Sequence, residues 1–261
     1  MIEVGLIYFL VIIIANTIGA ISGMGGGVII KPILDSLHIH SVAAITFYSS
    51  IAVLMMSVIS TIKQIRQGKQ INWPFVIQIS LGSVTGGIIG NYAFEFFLNR
   101  FPDERVVLII QITLTVLTLL FALLYNKFQW TALHLKSTSS KVLTGFTLGF
   151  LASFLGIGGG PINVALLMLC FSIPIKMATV YSIITIFFSQ LSKLAIILIT
   201  IDLARYDLNM LYFVVPAGAL GGIIGASISQ KITSQTVNHI YRWVVVVVIL
   251  LNVYNAIKLL N

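Results

Sequence analysis

Charge is the scarcest property of this chain. Only 8% of its 261 residues are charged and 58% are hydrophobic, whereas a soluble domain carries about a quarter charged residues. In water it would expose apolar surface on nearly every face, so its medium is a bilayer. Acid is rarer still: 7 Asp and Glu stand against 15 Lys and Arg, for a formal charge of +8. A basic excess invites a nucleic-acid reading, but these residues are scattered through short loops and form no stripe, which excludes it. In a membrane protein the excess reads instead as cytoplasmic loop charge and attraction to anionic lipid. The one cysteine, Cys170, sits in the apolar run 166–171, cannot form an intrachain disulfide, and reads as a small buried hydrophobe. Glu3, and no Lys or Arg, precedes the first apolar run, so residues 2–21 read as a mature span rather than a signal peptide.

Catalytic apparatus is lacking too. His38, His40, His134 and His239 fall in loops or at span ends, and no Gly-x-Ser-x-Gly or Asp pair lies at depth. Protease chemistry needs a nucleophile with its base, or paired carboxylates. The chain is therefore expected not to be an enzyme, and to hold no metal and no cofactor. No run of acidic residues lies within the spans, so a carboxylate relay for protons or sodium is not evident.

What is there is apolar length and glycine. Long hydrophobic segments cover residues 4–22, 42–62, 74–98, 105–125, 141–155, 175–201, 208–229 and 237–257. Two shorter apolar pieces, 28–37 and 161–171, fall below the ~20 residues needed to cross a bilayer. A polar stretch, 126–140, divides the chain into repeat 1 (1–126), a cytoplasmic linker (127–140) and repeat 2 (141–261). The division matches an internal repeat. Gly23-Met24-Gly25-Gly26-Gly27 recurs 133 residues later as Gly156-Ile157-Gly158-Gly159-Gly160. Thr46-Phe47-Tyr48-Ser49 recurs at the same offset as Thr179-Val180-Tyr181-Ser182. Gly86–Gly90 recurs 135 residues on as Gly221–Gly225. Two homologous halves with glycine-interrupted hydrophobic segments point to a secondary transporter with a central site.

Consecutive glycines break a membrane helix, and broken backbone survives at depth only inside protein or beside a polar cavity. A helix starting there offers free amides and the positive end of its dipole to an anion. Pro161 suits a first helical turn, and Asn163 would donate from the next position. The first half has Val28 and Ile30 in the matching places. Three consecutive glycines exceed what helix packing requires. A nucleotide-phosphate loop fails, because no strand–helix context and no Gly-Lys-Ser/Thr accompany them. Gly86/Gly90 and Gly221/Gly225, four apart and mid-span, read as close-packing seams.

Thr46 with Ser49, and Thr179 with Ser182, are three apart and share a helix face. Their hydroxyls bind either an oxyanion or the carbonyl one turn back. Tyr48 and Tyr181 read either as part of that site or as interface anchors. Lys193 lies deep in its span and is a functional candidate by default. Lys31 is either a counter-charge for a bound anion or reaches the headgroups. Glu95, near its span end, reads as interfacial.

Loop charge sets the expected orientation. Lys63, Arg66 and Lys69 mark one cytoplasmic loop, and Lys127, Lys136 and Lys141 another. The loop with Asp202, Arg205 and Asp207 reads as exterior, while Lys231 and Arg242 flank an interior one. Equivalent loops thus carry opposite bias, which predicts inverted halves with both termini outside.

The paired glycine clusters, each opening a short apolar helix and followed by a Thr/Tyr/Ser-bearing span, resemble the sulfite exporter TauE/SafE family of prokaryotic permeases. The resemblance covers essentially the whole chain. It implies transport of sulfite, sulfonates and related sulfur anions driven by an ion gradient, and it carries over Gly23, Gly25, Gly26, Gly27, Gly156, Gly158, Gly159 and Gly160 as a substrate-binding region. The expectation is an all-α, polytopic transmembrane bundle of two inverted repeats, each a glycine-broken helix pair plus three long spans. It would sit in a prokaryotic inner membrane and move a small anion by alternating access, with the coupling ion open and a proton among the candidates. A passive anion channel, an intramembrane enzyme and a non-transporting scaffold are the alternatives.

Overall fold

The computed structural model describes residues 2–68, 70–128, 130–200 and 203–260. Lys69, Asp202 and Asn261, which enter the loop-charge and terminus readings, lie outside the described residues, as does Ile201 at the end of one expected span. Ten α-helices are described: α1 (Ile2–Ser22), α2 (Gly27–Leu37), α3 (Val42–Arg66), α4 (Trp73–Arg100) and α5 (Glu104–Phe128), then α6 (Thr138–Phe154), α7 (Pro161–Phe171), α8 (Ile175–Thr200), α9 (Leu211–Lys231) and α10 (Ser234–Leu260). Two 3₁₀ turns, Leu203–Arg205 and Leu208–Met210, lead into α9. No strand occurs among the described residues. Seven helices are long and apolar enough to cross a membrane, and the chain is a multi-pass membrane protein.

Local chemistry places the boundaries. The Ser41, Asn72 and Ser137 side chains accept from Ala44, Phe75 and Ser140 amides and open α3, α4 and α6. Pro161 takes the first turn of α7, where its missing N–H costs little. The short helices α2 and α7 both end on a left-handed residue, His38 and Ser172. Helix extends into both ends of the 126–140 stretch read as linker, since α5 continues to Phe128 and the Ser137 cap starts α6 at Thr138.

The halves interlock. α1 packs along α9 and, equivalently, α6 packs along α4. Both contacts are glycine seams: a Cβ on Gly86 or Gly90 would strike the backbone of Phe146 or Phe150, and one on Gly221 or Gly225 would strike α1 at Asn16 or Thr17. Gly82, Gly145 and Gly149 lengthen the α4–α6 seam. Lipid tails are as apolar as leucine, so close backbone approach rather than water exclusion supplies this attraction. Apolar side chains such as Leu10, Ile14, Leu81, Leu198 and Leu250 remain exposed on the outside of the bundle, as a lipid-facing surface requires.

Hydrogen bonds sort the loops into two ends. At the first end, Tyr8 Oη lies 2.7 Å from His40 Nδ1, Val42 N donates to Glu104, Lys258 donates to the Ser36 carbonyl, and Arg205 pairs with Glu95. At the second end, Asn126 donates to Asn238, Arg242 bonds Asn126, Lys63 reaches Ile223 and Ser227, and Leu133 N donates to the Leu169 carbonyl. Each glycine-broken pair is therefore a hairpin: α2 returns to the end where α1 starts, and α7 to the end where α6 starts. Every described Asp and Glu belongs to the first end, while the second carries Lys and Arg alone.

Candidate functional site

The two glycine clusters meet at the hairpin tips. Left-handed backbone turns the chain at Gly23 and Gly25, with φ of 73° and 75°, and at Gly156 and Gly158, with φ of 68° and 65°. Gly159, at φ 127°, has no counterpart with positive φ in the first cluster. A Cβ on Gly25 would touch the Gly158 carbonyl oxygen at 3.4 Å, and one on Gly27 would strike Ile157. The two clusters thus form one region.

Each cluster faces the Thr/Tyr/Ser motif of the opposite half. Gly23 packs on Thr179, and Gly156 on Thr46, so closely that a Cβ at either glycine would collide. Ser49, by contrast, faces the cluster of its own half, since a Cβ on Gly27 would lie 2.8 Å from its Oγ. The hydroxyls, however, differ between halves. Thr179 donates to the Lys176 carbonyl at 2.8 Å, and Ser182 to the Gly23 carbonyl at 2.5 Å. Thr46 Oγ1 and Ser49 Oγ are buried without a hydrogen-bond partner among the described residues. Asn163 Oδ1 and Asn16 Oδ1 share that condition, the latter against Gly26. Unpaired buried polar atoms cost ~1–3 kcal/mol each, and a cluster of them calls for an explanation.

A family model described as Sulfite exporter TauE/SafE matches residues 8–254. The chain belongs to that family. Both glycine clusters, both Thr/Tyr/Ser motifs and the seam glycines all fall inside the match. The Probable membrane transporter protein YunE of Bacillus subtilis (strain 168) is 28% identical over 257 residues, covering 90% of this chain and 92% of its own length. The Probable membrane transporter protein MJ0441 of Methanocaldococcus jannaschii is 25% identical over 240 residues, 85% of each. No solved structure gives a significant match. The chain thus belongs to a family of membrane transporters, and both similar proteins are named as probable membrane transporters.

Within this TauE/SafE fold the remaining candidates take definite places. Tyr48 is fully buried and its hydroxyl donates to the Asp207 carbonyl, whereas the Tyr181 hydroxyl accepts from Asn72 N. Both are latches onto the loop before a helix of the other half, not interface anchors; Asn72 and Asp207 sit at equivalent repeat positions. Lys193 is fully buried and donates to the Ser153 carbonyl at 3.1 Å, just before the second glycine cluster. Lys31 does not reach headgroups. It is 3% exposed and paired with Asp35 at 2.8 Å. Glu95 pairs with Arg205 near the first end, as an interfacial residue would.

Sequence reasoning missed Val53 and Ile186, which occupy equivalent positions 133 apart. A Cβ on Gly158 would abut Val53, and one on Gly159 would abut Ile186, so these two side chains fill the space between the hairpin tips. The same repeat offset that revealed the glycines would have paired them, but an apolar residue in an apolar helix carries no other signal.

Proposed function

We propose that this TauE/SafE protein is a secondary transporter of a small sulfur-containing anion, sulfite or a sulfonate, working by alternating access in a prokaryotic inner membrane. The observation that carries the reading is the apposition of both glycine hairpins with the unpartnered Thr46 and Ser49 hydroxyls. Hydroxyls and free helix-start amides donate to an oxyanion without bringing another charge into the bilayer. The amides of Gly27 and Val28, in the first turn of α2, have no acceptor within their own helix. Val53 and Ile186 are the apolar seal that an anion would displace, and the interlocked halves would rock against each other about this point.

Inverted repeats belong to the same reading. A hairpin adds no net crossing and three long helices follow it, so each half crosses an odd number of times. The segregation of charge supports the orientation, with the Lys/Arg end in the cytoplasm and both termini outside. Division into residues 1–126 and 141–261, joined by the linker, follows from it. The test is uptake of labelled sulfite, thiosulfate and a sulfonate into proteoliposomes, with thermal shift of the purified protein by each anion. Saturable flux that exchanges substrate against substrate is expected. Flux that does not saturate would make the protein a channel, and neither flux nor thermal shift with any of these anions would end the proposal.

A further inference from the structure

Asp35 connects two spaces. Toward the first end it lines an open cavity of about 480 Å³ with His38, His40, Glu104, Arg105 and Lys258. Inward, with Lys31, Gln111 and Ile157, it lines a constriction of about 10 Å³, room for at most one water molecule. Ile157 belongs to the second glycine cluster, so this small space lies between Asp35 and the glycines. The Lys31–Asp35 pair stands in it, both oxygens within 3.2 Å of the ammonium and both side chains 4% exposed.

We infer that this pair is an exchange point, where an arriving anion displaces Asp35 from Lys31 and Asp35 takes up a proton from the first-end water, so that a proton travels with each anion. The inference rests on the anion-transport reading above. Its physics is local. A buried carboxylate stripped of its counter-charge is several kcal/mol too costly to stay ionised, and protonation relieves it. The balance is simple: hydronium gives its proton to the Asp35 carboxylate and leaves as water, no covalent bond to the anion forms, and for a monovalent anion the site is neutral before and after. Gln111 supplies the matching acceptor. Its amide donates to the Phe154 carbonyl at 2.7 Å, which fixes its orientation, and its Oε1 has no partner among the described residues.

Other titratable or charged groups face Asp35. They are Tyr8 on α1, His38 and His40 after α2, Glu104 and Arg105 on α5, and Lys258 on α10; α3 presents only Val42 and Ile45. The experiment must separate Asp35 from them. The probes are thiosulfate and methanesulfonate, neither of which titrates near neutrality. In proteoliposomes loaded with a pH dye, inward anion flux should acidify the lumen. Asp35→Asn should carry the anion while losing that proton movement. His38→Gln, His40→Gln and Glu104→Gln should keep it, and Lys31→Met should weaken anion affinity about ten- to a hundredfold. On adding methanesulfonate to purified wild type, the infrared carbonyl band of a protonated carboxyl should rise, and it should be missing in Asp35→Asn. If Asp35→Asn misfolds, the double variant Lys31→Met/Asp35→Leu removes both charges together, which buried pairs tolerate, and it too should show no anion-dependent carboxyl band. Anion flux without proton movement in wild type, or unchanged proton movement in Asp35→Asn, overturns the exchange point while the transporter reading stands. No flux and no thermal shift with any sulfur anion overturns both.

Discussion

The first-half and second-half copies of the Thr/Tyr/Ser motif have the same spacing and opposite employment. Thr179 and Ser182 have spent their hydroxyls on protein carbonyls, one of them the Gly23 carbonyl of the facing cluster. Thr46 and Ser49 have not. Duplication therefore preserved the position of four hydroxyls while their roles divided: Ser182 holds a hairpin tip in place, Thr179 bonds its own helix, and the first-half pair remains available. A repeat in sequence is evidence of shared geometry and not of shared chemistry.

Breaking both sides of the comparison at once gives the largest effect. Gly26→Val and Gly159→Val should abolish transport, the first because its side chain would collide with Asn16, the second because φ of 127° is closed to a β-branched residue. Flux in proteoliposomes measures this, with expression level as the control. Normal flux in both variants would reduce the clusters to packing seams.

Splitting the halves comes next. Thr46→Val removes an unpartnered hydroxyl and should weaken anion affinity roughly ten- to a hundredfold, the worth of one hydrogen bond to a charge, with little change in melting temperature. Ser182→Ala should do the reverse, lowering stability by about 1 kcal/mol through the lost Gly23 contact. Equal effects of the two substitutions on affinity would erase the distinction drawn above.

The latches allow a finer version. Tyr48→Phe removes a donor to the Asp207 carbonyl, and Tyr181→Phe an acceptor for Asn72 N; each should cost about 1 kcal/mol in thermal unfolding without altering affinity. A large affinity loss in either would return the tyrosines to the binding site.

The smallest effect is one of pH, and it too distinguishes the halves, because the positions 133 residues after His38 and His40 are Phe171 and Ile173. Burial lowers the pKa of His40, opposed by Asp207. The unfolded chain then binds the proton more readily, so this contribution to stability is complete above a pH of ~6.5 and declines as pH falls toward the lowered value. Replacing His40 by Asn should flatten the acid side of the melting curve, and an unchanged slope would assign it to other groups.

Much of this was legible in sequence. The helical class, the short helices at 28–37 and 161–171, though not whether they cross or turn back, and the seams at Gly86/Gly90 and Gly221/Gly225 follow from hydropathy and glycine spacing alone. So does the grouping of basic loops, because charge on short connections is set by the membrane rather than by packing. The crossing of partners was not legible. Nothing in Thr46 says that it faces Gly156 rather than its own cluster, since that depends on α1 choosing α9 over its sequence neighbours. Nor was the Lys31–Asp35 pair read as a pair, although a four-residue spacing on one helix face is enough to suggest it.

The interlocking of α1 with α9 has a consequence for biosynthesis. At a ribosomal pace of ~5–20 residues per second, some ten to forty seconds separate the emergence of Ser22 from that of Lys231. Throughout that interval the first membrane segment stands in the lipid without its glycine-lined mate, and until Thr179 emerges the first hairpin tip also lacks the surface it rests on. The nascent first half is therefore a natural client for an insertase or membrane chaperone. A chain truncated before α9 should be recognised by quality-control proteases, although its helices α1, α3, α4, α5 and α8 are each long and apolar enough to cross the bilayer.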